Sequence, residues 1–97
     1  MSDDIEELSP ADFARSISAQ VRRRIAAGQI ESGADVVAIR RFVGLSETDF
    51  ASALGVTVET LLEWESGVQR PDGPAVSLLR IAARHPGAVR ENVTSAA

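Results

Sequence analysis

Any chemistry in this chain has to come from carboxylates and arginines, because its 97 residues include a single histidine, His85, and no cysteine. The missing thiols exclude disulfides and thiolate metal sites. A lone imidazole needs several carboxylate partners to hold a metal, so neither metal ligands nor a cofactor are expected. No nucleophile stands at a recognisable spacing from a base, so no catalytic residues and no enzymatic activity are expected. All ten cations are arginine. The planar guanidinium suits phosphate or carboxylate, although genomic base composition can produce the same usage. The charges are segregated: Asp3, Asp4, Glu6, Glu7 and Asp12 make the beginning acidic, while Arg15, Arg22, Arg23 and Arg24 make the next stretch basic. A net charge of −4 argues against a general nucleic-acid coat, whose affinity comes from cations on phosphates. The run Arg22, Arg23, Arg24 can contact DNA or an acidic protein surface, or it can be a solvated helix face.

The elements able to position such groups are clearest between Ser46 and Pro71. Ser46 and Thr57 each precede a helical period and can accept the orphan backbone donors of a first turn, and Gly67 can end the second period. Between them Gly55 supplies the left-handed backbone that a sharp turn between helices demands. Two capped helices around one glycine make a helix-turn-helix, with residues 58–66 as its recognition helix. Trp64, three residues after Leu61, shares an inward face with it, and Phe50 and Leu54 are core on the preceding helix.

The length allows one small core. No apolar run approaches a membrane span, and the beginning is acidic where a signal peptide is basic, so a cytoplasmic protein that does not engage membranes is expected. Ser9 as cap, Pro10 at the first helical position and Asp12 predict a helix over residues 10–27. Its Phe13, Ile17, Val21 and Ile25 recur every four residues as a narrow apolar stripe that needs something to pack on. Gly28 and Gly33 mark a loop. From Asp35 a compact domain begins, with Val36, Val37, Ile39, Phe42 and Val43 on its first helix. Asp72, Gly73 and Pro74 open a fourth helix bearing Val76, Leu78, Leu79, Ile81 and Ala82. His85 and Pro86 close it, and residues 86–93 form a fifth carrying Val89 and Val93. The expected fold is all-α: a helical extension over residues 1–34 and a five-helix, repressor-like helix-turn-helix domain over residues 35–93.

Residues 35–91 resemble the Xre family of phage-repressor-like regulators, and within it the HigA-type antitoxins. The resemblance rests on Val37-Ala38-Ile39-Arg40-Arg41, Gly44-Leu45-Ser46, Phe50-Ala51, Leu54-Gly55-Val56, the spaced Trp64, Glu65, Gly67 and Pro71, and Gly73-Pro74-Ala75 leading to Leu78-Leu79-Arg80. It implies that helix 58–66 enters the major groove of double-stranded operator DNA. Val58, Glu59, Leu62 and Glu63 would then face base edges, and Ser46, Glu47, Thr57, Thr60, Ser66 and Arg70 would approach the backbone. It also implies a structural ion pair between Arg40 and Glu65. Glu47 departs from the glutamine usual in the family. Glu59 and Glu63 put carboxylates on the reading face, where each can accept from a cytosine amino group but is repelled by phosphate. The function implied is a homodimeric repressor that autoregulates its operon and neutralises a HigB- or RelE-like RNase toxin. Phe13, Ile17, Val21 and Ile25 outside the domain would form the toxin-binding surface, and helices four and five, through Val89 and Val93, would form the dimer. A solitary Xre-type regulator, or an interaction module that has lost DNA binding, are the alternatives.

Overall fold

The computed structural model describes residues 17–93, so the expected helix start at Ser9, Pro10 and Asp12, and the stripe residue Phe13, lie outside the described residues. The fold is all-α. Among the described residues six helices follow one another: α1 Ala19–Ala26, α2 Gly33–Val43, α3 Glu47–Leu54, α4 Val58–Ser66, α5 Gly73–Arg84 and α6 Pro86–Glu91.

Local capping chemistry sets most of these boundaries. Ser46, Thr57 and Asp72 stand in extended backbone ahead of α3, α4 and α5, and their side chains accept from the N–H groups of Asp49, Thr60 and Ala75. Each thereby satisfies one of the orphan donors of a first turn. Gly55 takes φ +75° between α3 and α4, the left-handed conformation that turns the chain sharply enough for the two helices to pack together. At α1 the expectation needs correcting. A continuous helix over residues 10–27 is not formed, because Ser18 is extended and accepts the N–H of Val21, so that α1 starts afresh at Ala19. Ile17 therefore lies off the helix that carries Val21 and Ile25.

The core is built by all six helices. Phe50, Ile25, Ile39, Leu61, Leu79, Val36 and Val43 are fully enclosed, with Trp64, Ala75, Ala82, Ala83 and Val89 around them. Small residues on the inward face of α5 let α1 lie close against it, and Ile25 drops from α1 into the common core. The helix ahead of Asp35 is thus packed with those behind it. α6 is tied down by polar contacts to neighbouring helix ends: Arg90 Nη1 donates to the Val43 carbonyl at 3.0 Å and Asn92 Nδ2 to that of Ala53 at 2.7 Å. Val89 consequently faces inward, which removes it from the dimer surface expected of it, and Val93 is half-buried against the core.

A second polar tie joins α1 to α2. Arg24 reaches the buried carboxylate of Asp35 with both Nη atoms, at 2.6 and 3.2 Å, and the Glu31 N–H adds a third donor at 2.8 Å. Burial alone would push this carboxyl's pKa up. The Arg24 fork and the backbone donors outweigh burial and hold it below the ordinary carboxylate value. A depressed folded-state pKa contributes stability that is present above the unfolded value, near ~3.9, and is lost as pH falls through the folded value. Asp35→Asn is therefore expected to be less stable than the parent at pH 7, with a shallower loss of stability on acidification below about pH 4. Chemical denaturation at the two pH values checks this; parallel curves for parent and variant would remove Asp35 from the acid sensitivity.

Candidate nucleic-acid interface

The inner face of α4 fixes what its outer face can present. Leu61 and Trp64 are buried and Val58 is half-buried against the core, whereas Glu59, Leu62, Glu63 and Ser66 are exposed. Those four positions follow the i, i+3, i+4, i+7 spacing of one helix face. Leu62 is 41 % exposed, an apolar side chain offered to whatever lies on this surface. Val58, expected at base edges, is turned toward the core because it starts the helix beside the α3–α4 turn, and it does not belong to the outer row.

Arg40 holds this helix in place. Its Nε donates to Glu65 Oε2 at 2.7 Å and Nη2 lies 3.5 Å from Oε1, while Nη1 donates to the Leu45 carbonyl at 3.3 Å. One guanidinium on α2 thus grips α4 and the α2–α3 turn together. The same Nη2 lies 3.9 Å from Glu47 Oε2, so Glu47 faces an arginine of its own domain. A carboxylate held there is a poor phosphate contact. Behind the pair, Gly33 at the start of α2 sits against the end of α4, where a Cβ would collide with the Glu65 carbonyl oxygen and come within 2.7 Å of the Trp64 carbonyl oxygen. Gly33 was expected only as a loop residue.

The hydroxyls expected at phosphates divide into two groups. Thr57 accepts from the Thr60 N–H at 3.0 Å and donates its own proton to Thr60 Oγ1 at 2.9 Å, and Ser66 donates to the Glu63 carbonyl at 3.2 Å. Both protons are already committed. Ser46 uses its oxygen as an acceptor for Asp49 N–H at 3.1 Å, and Thr60 only accepts, so these two retain a proton for an incoming phosphate. Arg70 is exposed and donates one Nη2 bond, 3.0 Å, to the Ile30 carbonyl, leaving further donors in its fork. The amino end of α4 also favours an anion, whereas Arg70 lies beyond the opposite end of that helix, beside Ile30 and Gly67. Glu59 and Glu63 form no ion pair with the described residues, so the outer face itself is acidic.

The apolar stripe is dispersed by the fold. Ile25 is fully enclosed and Ile17 and Val21 are half-buried against the core, so Ile25 belongs to the domain interior and to no docking surface. Among the described residues no group of histidines, cysteines and carboxylates is placed to hold a metal, and no helix is long and apolar enough to cross a membrane.

A family model described as the antitoxin component of a bacterial toxin-antitoxin system, MqsA, matches residues 5–92. Antitoxin HigA-2 of Vibrio cholerae serotype O1 is 40 % identical over 52 residues, which cover 54 % of this chain and 50 % of that protein. The chain thus spans about half the length of the curated relative it matches. No solved structure gives a significant match.

Proposed function

This chain belongs to the MqsA antitoxin family and carries a HigA-type helix-turn-helix, and on that premise we propose that it is a cytoplasmic, sequence-specific repressor of its own operon that also neutralises an RNase toxin of the HigB or RelE kind. The observation that carries the reading is the division of α4: an inner face locked by Leu61, Trp64 and the Arg40–Glu65 pair, and an outer row in which Glu59, Leu62 and Glu63 are exposed and free to meet base edges. Rigid presentation of a short side-chain row is what direct readout in a major groove needs. Two copies would be required to read a two-fold operator. Ile81, 46 % exposed, with half-buried Leu78 and exposed Ala88 beside it, offers an apolar surface on α5 and α6 for that pairing.

The acidic outer row supports a second reading, an interaction module without DNA affinity. The two are separable by titrating the protein into duplex taken from the promoter of its own gene, against scrambled duplex of equal length. Tight binding to the promoter duplex alone supports the repressor, and equal weak binding to both supports the module. Toxin neutralisation is tested by co-expression with a small basic reading frame adjacent to the gene.

Within the repressor reading, Arg70 and Glu63 have distinct roles. Arg70→Ala should weaken binding about equally across operator variants and lower the salt slope by about 1, because one phosphate contact is lost. Glu63→Gln should change which base is preferred at one position, since a carboxylate that accepts from cytosine becomes an amide that can bond adenine. Anisotropy titrations over a panel of single-base variants at several salt concentrations separate them, and indistinguishable profiles for the two substitutions would refute the assignment.

A further inference from the structure

Beside α1, away from the helix-turn-helix, lies a groove of about 660 Å³ whose apolar lining is Ile17, Ala19, Ala26, Phe42 and Ala83 and whose polar lining is Arg22, Arg23, Arg84 and His85. No residue of α3 or α4 contributes to it, and the described residues that line it include no carboxylate. Two of its guanidiniums are held in place from within the fold. Arg22 donates through Nε to the Ala83 carbonyl at 2.9 Å and stacks over the Phe42 ring, 4.6 Å from its centroid. Arg84 donates through Nη2 to the Ala26 carbonyl at 2.9 Å. Arg23 is exposed and makes no ion pair with the described residues. The ion pairs among the described residues fall to Arg24 and Arg40, so none of these three cations has a counter-charge among the described residues.

We propose that this α1–α5 groove docks an acidic, amphipathic segment of a partner protein, with carboxylates on Arg22, Arg23 and Arg84 and apolar side chains on Ile17, Ala26 and Phe42. Charge complementarity chooses the partner's sign, and the apolar lining chooses its class. A phosphate backbone would satisfy the arginines but leave the apolar lining uncovered, whereas a helix with carboxylates flanking leucines satisfies both. Because Arg22 and Arg84 are already positioned by internal bonds, little side-chain freedom remains to be lost when the carboxylates arrive. The proposal does not depend on whether α4 reads DNA.

The test uses the full chain and three fluorescein-labelled probes: a short Glu-Leu-Leu-Glu repeat peptide, the same peptide with serine for leucine, and a DNA oligonucleotide of equal net charge. The leucine peptide is expected to bind with marked salt dependence. Arg23→Gln together with Arg84→Gln should weaken it by about tenfold or more, the loss of two charge-assisted contacts. Arg23→Gln alone, at an exposed side chain with no internal partner, should still weaken it measurably and keeps the test open if the double variant folds poorly. The serine peptide should bind far more weakly than the leucine peptide. No binding of the leucine peptide, unchanged affinity in the Arg23→Gln protein, equal binding of the serine peptide, or an oligonucleotide that displaces the leucine peptide as effectively as unlabelled peptide does, would each overturn the proposal.

Discussion

Replacing Arg40 by alanine is expected to lower stability by about 3 kcal/mol, the low end for removing one member of a buried ion pair. The cost arises at Glu65, whose side chain is only 7 % exposed and which would lose its one charged partner among the described residues. The Leu45 carbonyl loses a donor in the same step. For a domain of this size each kcal/mol corresponds to roughly 4–8 °C, so the thermal midpoint should fall by roughly 12–24 °C. Arg40→Lys should recover only part of the loss, because an ammonium cannot reproduce a fork that serves α4 and the α2–α3 turn together. Thermal unfolding followed by circular dichroism decides. A midpoint unchanged in Arg40→Ala, with operator binding lost, would make Arg40 a phosphate contact and overturn its structural role.

Gly33→Ala reverses the usual sign of a glycine-to-alanine change in a helix. Alanine normally gains about 0.5–1 kcal/mol at a helical position by restricting the unfolded chain. Here the added methyl meets backbone, the carbonyl oxygens of Glu65 and Trp64, which no rotamer change can move aside. The end of α4 or the start of α2 must shift, and overpacking of this kind costs typically about 1–3 kcal/mol. A net destabilisation of roughly 1–2 kcal/mol is expected from these opposing effects. To the extent that α4 is the element that moves, operator affinity on the proposed reading, measured well below the midpoint, should fall as well. Denaturant titration gives the first quantity, and a variant as stable as the parent would show that the two helices can part at little cost.

What could be read from residue order alone follows from how far apart the interacting groups lie in the chain. Ser46, Thr57 and Gly55 act on backbone within three residues of themselves, so residue type and position suffice to place them. Leu61 and Trp64 share a face by helical period, and both are buried. The break at Ser18 was hidden because the four-residue apolar spacing continues through it from Ile17 to Val21, and periodicity does not register a cap set inside its own pattern. Gly33 looked like loop punctuation because the atoms that require a glycine belong to Trp64 and Glu65, thirty or so residues later. The Arg24–Asp35 pair crosses what composition suggested was a domain boundary. At the proposed interface, the resemblance put Thr57 and Ser66 near phosphates, whereas their protons are already used at the two ends of α4.

The central claim is that the outer row of α4 reads DNA, and the most direct test is the affinity of the full chain for the promoter duplex of its own gene, with and without Glu59→Ala, Leu62→Ala and Glu63→Ala together. All three side chains are exposed, so the fold should be unaffected. The account predicts that the parent prefers the promoter over scrambled duplex by at least about 10³-fold, and that the triple variant, relieved of two carboxylates, binds scrambled duplex at least as well as the parent but loses that preference. Promoter preference that survives intact in a folded triple variant would contradict it.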